Sequence, residues 1–146
     1  MFPQPVMLTL EDLAGLAANH PAALKSVVTA FELGGRTFDG NSTPALMGVI
    51  NLSADSWYRE SVCLTADSAI QRGHILAAQG AAILDVGAES TLAHAARADE
   101  AAQTSKLLPV VRDLARAGHL VSVETYHPSV TRACFEAGAR ILNLTG

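Results

Sequence analysis

"GAAILDVGAEST", residues 80–91, begins like a protein interior and ends like a polar site. A glycine able to stop a helix leads into a strand whose first part, Ala81–Leu84, is small and apolar. Asp85, Glu89, Ser90 and Thr91 follow at once. Period two puts Asp85, Gly87 and Glu89 on one face of that strand. The same transition recurs along the chain. ALMGVINLS (45–53) reaches Asn51, LVSVETY (120–126) aligns Ser122, Glu124 and Tyr126, and RILNLTG (140–146) carries Asn143.

Helical patterns separate these runs. In LTADSAIQRGHILAAQG (64–80), Thr65 is the expected N-cap, Ala66, Ala69, Ile70, Gly73 and Ala77 keep helical spacing, and Gly80 is the stop. RADEAAQTSKLLPVVRDLARAG (97–118) aligns Leu107, Leu108, Val111, Leu114 and Ala115; Pro109 is expected to kink this helix or to mark its start. PSVTRACFEAG (128–138) opens on Pro128 and closes on Gly138. A β-α-β-α-β-α-β order predicts an α/β fold of parallel strands with right-handed crossovers. Ligands in such folds bind at the carboxyl ends of the strands. Asn51, Asp85, Glu124 and Asn143 occupy that position. Amides and carboxylates together offer donors and acceptors, which suits a flat, nitrogen-rich heterocycle. Asp85 reads as the most structural of the four, an acid bonding neighbouring backbone amides.

Ahead of this series, Thr9 and Asp12 can cap a short helix whose apolar face is Leu10, Leu13, Leu16 and Ala17. A second helix is expected from Pro21 to about Val28. FELGGRTF (31–38) reads as a β-hairpin turning at Gly34-Gly35. Residues 1–30 therefore form a helical N-terminal extension, and 31–146 the main domain. The 146 residues suffice for one domain with a core; 49% are hydrophobic and 16% charged. A net charge of −4 without a basic run argues against a nucleic-acid surface. No apolar run approaches the roughly 20 residues of a membrane span, and the N-terminus lacks a basic start, so a soluble, cytoplasmic protein is expected. Cys63 and Cys134 have neither metal-ligand nor redox-motif spacing and read as reduced, and buried or half-buried, instead of joined in a disulfide. His20, His74, His94, His119 and His127 lack metal-ligand spacing, and neither a phosphate-cradling glycine loop nor a nucleophile elbow is present.

The strand-end motifs resemble those of the dihydropteroate synthases. MGVINLSADSW (47–57) is similar to that family's first strand and loop, GAAILDVGAEST to its second, VSVETYHPSV (121–130) to its third and GARILNLTG (138–146) to its fourth. The resemblance implies a (β/α)8 TIM-type barrel, of which this chain carries about the first four β/α units, after a short helical extension and a hairpin. It implies a transferase of folate biosynthesis, which condenses 6-hydroxymethyl-dihydropterin diphosphate with p-aminobenzoate and releases pyrophosphate with the help of magnesium. By position, Asn51 corresponds to the magnesium-associated asparagine. Thr91, with Ser90 beside it, corresponds to the loop that approaches the phosphates and p-aminobenzoate. Glu124 and Asn143 correspond to the acid and amide that bond the pterin ring.

The departures from the family pattern are specific. Its second-loop arginine is Leu92 here, and a cation beside a departing diphosphate is a large electrostatic contribution. Arg59 or Arg97 could stand in for it. The pterin aspartate is Glu124, one methylene longer, and Asn143 is followed by Leu144 instead of aspartate. A whole barrel needs about 250 residues. A four-unit half has open edges, so completion by a second chain, by a second copy in a homodimer, or by a missing C-terminal half is expected. Alternatives to the synthase are a non-catalytic pterin-binding paralogue and a structural half-barrel interaction module.

Overall fold

A computed structural model describes residues 9–41, 43–56, 58–90 and 98–144. In chain order its elements are α1 (Leu10–Asn19), α2 (Pro21–Leu24), β1 (Phe31–Leu33), β2 (Arg36–Phe38), β3 (Leu46–Asn51), α3 (Ala66–Ala78), β4 (Ala81–Gly87), α4 (Glu100–Arg116), β5 (Val121–Glu124), α5 (Pro128–Ala137) and β6 (Ile141–Asn143). A 3₁₀ turn, Arg59–Ser61, follows β3. No helix among the described residues is long and apolar enough to cross a membrane.

Local chemistry sets the boundaries. Thr9 and Asp12 form a reciprocal capping box at α1, and Thr65 and Ser68 form another at α3. Asp99 starts α4 by accepting the Ala102 N–H at 2.7 Å. Pro109 therefore lies inside α4 and does not mark its start. The helix after Pro21 is only a single turn, shorter than the sequence suggests. Gly34 and Gly35 have φ of +58° and +75°, the positive pair that a two-residue hairpin turn requires. Phe31 and Phe38 stack across that hairpin at 5.4 Å, and Arg36 fixes it to the larger sheet by donating to Ala82 O at 3.1 Å and Gly118 O at 3.3 Å.

The larger sheet is parallel and ordered β3-β4-β5-β6. Its register places Asn51 beside Gly87, Gly87 beside Glu124, and Glu124 beside Asn143. One face packs under the helices. Ile50, Leu84, Val86, Val121 and Val123 are buried there against Ala69, Leu107, Val110, Val111, Leu114, Val130 and Cys134. Each such aliphatic side chain contributes about 1.5–3 kcal/mol by leaving water. Gly73 permits the close approach of α3 to α4, because a methyl group there would lie 2.6 Å from Leu114 Cδ2. The opposite face carries the polar strand-end residues.

Candidate functional site

The parallel register gathers the strand-end residues into one row. Asn51, Gly87, Glu124 and Asn143 lie side by side on four adjacent strands. Because side chains alternate, the next row on the same face lies two residues earlier and holds Val49, Asp85, Ser122 and Ile141. Gly87 is the residue of the upper row without a side chain. A methyl group on it would stand 2.9 Å from Glu124 Oε2 and 3.4 Å from Asn51 Oδ1, so the acid and the amide overhang this glycine from opposite sides.

The two rows are connected. Asn143 Nδ2 donates to Asp85 Oδ2 at 2.9 Å. The partner of Asp85 is thus a side-chain amide two strands away, not the neighbouring backbone amides that the sequence suggests. Asp85 is 4% exposed and Ser122 is fully buried. Among the described residues Asp85 Oδ1 and Ser122 Oγ have no hydrogen-bond partner. Leaving a buried polar atom unpaired costs about 1–3 kcal/mol, and such atoms concentrate at binding sites.

Asn51 closes one end of the row. Its Nδ2 donates to Ser61 Oγ at 2.6 Å, and Ser61 in turn donates to Tyr58 O at 2.6 Å. The amide is thereby oriented, with Oδ1 toward Gly87. Backbone bonds from Leu52 N to Gly87 O (2.7 Å) and from Cys63 N to Asn51 O (2.8 Å) hold the loop after β3 against β4. Arg59, a possible stand-in cation, donates to Ala54 O at 2.8 Å within that same loop. Ser90 is buried and donates to Asp55 O at 3.1 Å, which ties the loop after β4 to the loop after β3. Thr91, Leu92 and Arg97, together with Trp57 and His94, lie outside the described residues.

Two residues emerge that sequence reasoning passed over, Gln103 and Thr125. Gln103 on α4 is 1% exposed and joins Glu89 to Thr125. Glu89, Ser90, Gln103, Glu124, Thr125 and Tyr126 line one small cleft. A polar residue four positions before Leu107, on the stripe that buries Val110, Val111 and Leu114, was the available signal for Gln103.

Magnesium needs oxygen ligands and retains several from water or phosphate. Among the described residues there is no group of three or more His, Cys, Asp and Glu side chains able to hold a metal. Asn51 Oδ1 is a single hard oxygen at the rim. That donor set fits a magnesium ion carried mainly by a diphosphate and does not fit an all-protein cage.

The model of the family described as "Pterin binding enzyme" matches residues 47–145, which include the whole row. The chain belongs to the pterin-binding enzyme family. Within it, the chain is similar to the dihydropteroate synthase of Mycobacterium leprae, with 42% identity over 98 residues that cover 67% of this chain and 34% of the relative. It is 34% identical over 113 residues to that of Streptococcus pyogenes, covering 77% of this chain and 42% of the relative. Among solved structures, the Yersinia pestis dihydropteroate synthase in a sulfonamide drug complex superposes with a TM-score of 0.70 at 29% identity, over 79% of this chain and 41% of that one. The Burkholderia cenocepacia enzyme complexed with 7,8-dihydropteroate gives 0.66 at 27% identity, over 82% and 39%. The four parallel strands and the three helices that connect them have the fold of part of a (β/α)8 barrel of the dihydropteroate synthase type, and the chain spans about two fifths of those solved chains.

Proposed function

We propose that the row formed by Asn51, Gly87, Glu124 and Asn143 binds a pterin ring, and that the chain supplies this part of a dihydropteroate-synthase-type transferase. The observation that carries the reading is the pair of buried, unpaired oxygens, Asp85 Oδ1 and Ser122 Oγ, on the face where Asn51, Glu124 and Asn143 stand in one row. A flat ring lying against that row meets an acceptor for ring N–H and amino protons in Glu124. The side chain of Asn143 is held by Asp85 through one N–H and keeps its second N–H and its Oδ1 for the ring. The unpaired Asp85 Oδ1 and Ser122 Oγ add polar capacity beneath the ring.

In the condensation, the amine of p-aminobenzoate forms a bond to the exocyclic methylene of the pterin. The methylene C–O bond breaks, pyrophosphate departs with that electron pair, and the amine nitrogen loses a proton. Ser90 and Thr91 are the hydroxyls proposed to face the phosphates and p-aminobenzoate. Asn51 Oδ1 is the oxygen proposed to meet magnesium, which when bound neutralises charge on the diphosphate. The part of this chain is to hold the ring and orient its methylene toward the amine. Further strands, from a second copy, another chain or the remainder of a barrel, are proposed to flank β3 and β6, the edges of the described sheet. The helical segment before residue 31 lies outside this unit, and the site faces a cytoplasmic pterin pool.

A second reading, a pterin-binding paralogue without synthase activity, is favoured by Leu92 in place of a cation and by the longer acid at Glu124. Product formation from the pterin diphosphate and p-aminobenzoate distinguishes the two. On the synthase reading, the longest natural chain forms dihydropteroate, and Leu92→Arg with Glu124→Asp raises turnover. Pterin binding without product, and no gain from the double change, selects the paralogue.

A further inference from the structure

Gln103 occupies an unusual position for an amide. It lies at the N-terminal end of the buried stripe of α4, and all of its donor capacity is used. Nε2 donates to Glu89 Oε2 at 3.0 Å and to Ala98 O at 3.0 Å, while Oε1 accepts from Thr125 Oγ1 at 2.8 Å. Each partner continues the network. Glu89 Oε2 also accepts the Ala98 N–H at 2.9 Å, and Thr125 Oγ1 accepts the His127 N–H at 3.2 Å. One side chain on α4 thus holds the loop that follows β4 and the turn that follows β5. The first segment carries Ser90 and the second adjoins Glu124 at the end of β5, residues that the proposed function assigns to opposite ends of the substrate.

We infer that Gln103 is a positioning residue, which fixes the spacing between the phosphate-side loop at Glu89–Ser90 and the pterin-side acid Glu124. A buried amide suits this task. It satisfies a carboxylate and a hydroxyl at once, where a leucine satisfies neither and a second carboxylate repels Glu89. Misplacing a positioned group by about 1 Å can cost roughly 10²-fold in rate, so small slippage between the two segments is sufficient to matter. What is positioned rests on the pterin reading; the coupling of the two segments does not.

The test separates these layers. Amide hydrogen exchange in the intact chain reads the coupling without ligand, through the Ala98 and His127 N–H groups on opposite arms. Titration with 6-hydroxymethylpterin reads its consequence. Gln103→Leu is expected to reduce protection at both amides together and to weaken pterin binding about tenfold. Gln103→Glu places a carboxylate against Glu89, with Glu124, Asp99, Glu100 and His127 as the surrounding charged or titratable groups. It is expected to behave like the leucine variant at alkaline pH and to recover part of its protection and affinity as pH falls, where one proton held between the two acids restores the bond to Glu89. Thr125→Val cuts only one arm and provides a milder variant should Gln103→Leu fold poorly; it should release His127 before Ala98. Unchanged protection in Gln103→Leu, loss confined to one arm, or a Gln103→Glu variant indifferent to pH overturns the inference. So does unaltered pterin affinity in a variant whose amides are released. If the unmutated chain binds no pterin, the pterin reading fails, and the coupling is judged by exchange alone.

Discussion

At Gly87 the absence of a side chain lets the Glu124 carboxylate and the Asn51 amide lie close over the strand, and this pair is the heart of the proposed site. Gly87→Ala should move the Glu124 carboxylate, because the added methyl would sit 2.9 Å from Oε2. Since that oxygen ends a flexible side chain, the expected loss of stability in urea denaturation is below about 1 kcal/mol. Pterin affinity should nevertheless fall about tenfold, the cost of a displaced charge-assisted hydrogen bond. A second prediction concerns Cys134. It is fully buried, and burial pushes its thiol up to about 11. Since the thiolate is the reactive form, a thiol reagent at pH 8 should modify Cys134 only after denaturation. The burial of both cysteines was readable from composition and spacing. The bond between Asp85 and Asn143 was not, because it joins residues 58 positions apart whose adjacency exists only once the strands are ordered.

Elements were the most legible level, and particular residues explain why. Thr9, Thr65, Gly80, Gly118 and Gly138 mark helix ends by local chemistry, which needs no tertiary partner. Legibility failed where the outcome depends on a distant contact. Gln103 interrupts an apolar stripe, and its meaning lies in Glu89 and Thr125, which come from two other segments. The packing of α3 on α4 gives a testable cost. Gly73→Ala would press its methyl on Leu114 Cδ2 at 2.6 Å and Ile50 Cδ1 at 3.3 Å. Overpacking costs about 1–3 kcal/mol and the gain in helix propensity returns about 1, so a net loss of about 1 kcal/mol is expected in chemical denaturation. At the far end of the same helices, His74 Nδ1 lies 3.1 Å from His119 Nε2, and His74 Nε2 lies 3.5 Å from Asp113. Burial, then His74, then Arg36 lower the pKa of His119 below 6.5. The unfolded chain therefore takes up this proton first as pH falls. Stability is fully present above about pH 6.5 and declines as pH drops through the lowered folded value. The melting temperature should fall between pH 7.5 and pH 5.5, and His119→Gln should flatten that decline.

On the scale of the molecule, a parallel sheet with helices on one face leaves its other face as the functional surface. Four strands in register turn isolated amides and acids into one row, so a feature weak at any single position becomes specific in combination. Family membership, the barrel-type order of strands and the row itself agree with one another. The central claim is that Glu124 recognises a pterin through its carboxylate in the row with Asn51 and Asn143. Calorimetric titration of 6-hydroxymethylpterin into the unmutated chain and into Glu124→Gln tests it most directly. Saturable binding that weakens about 10- to 100-fold in the variant is the predicted result, the range expected for hydrogen bonds to a charged group. Equal affinity in the two proteins, or no binding to the unmutated chain at millimolar ligand, would contradict it.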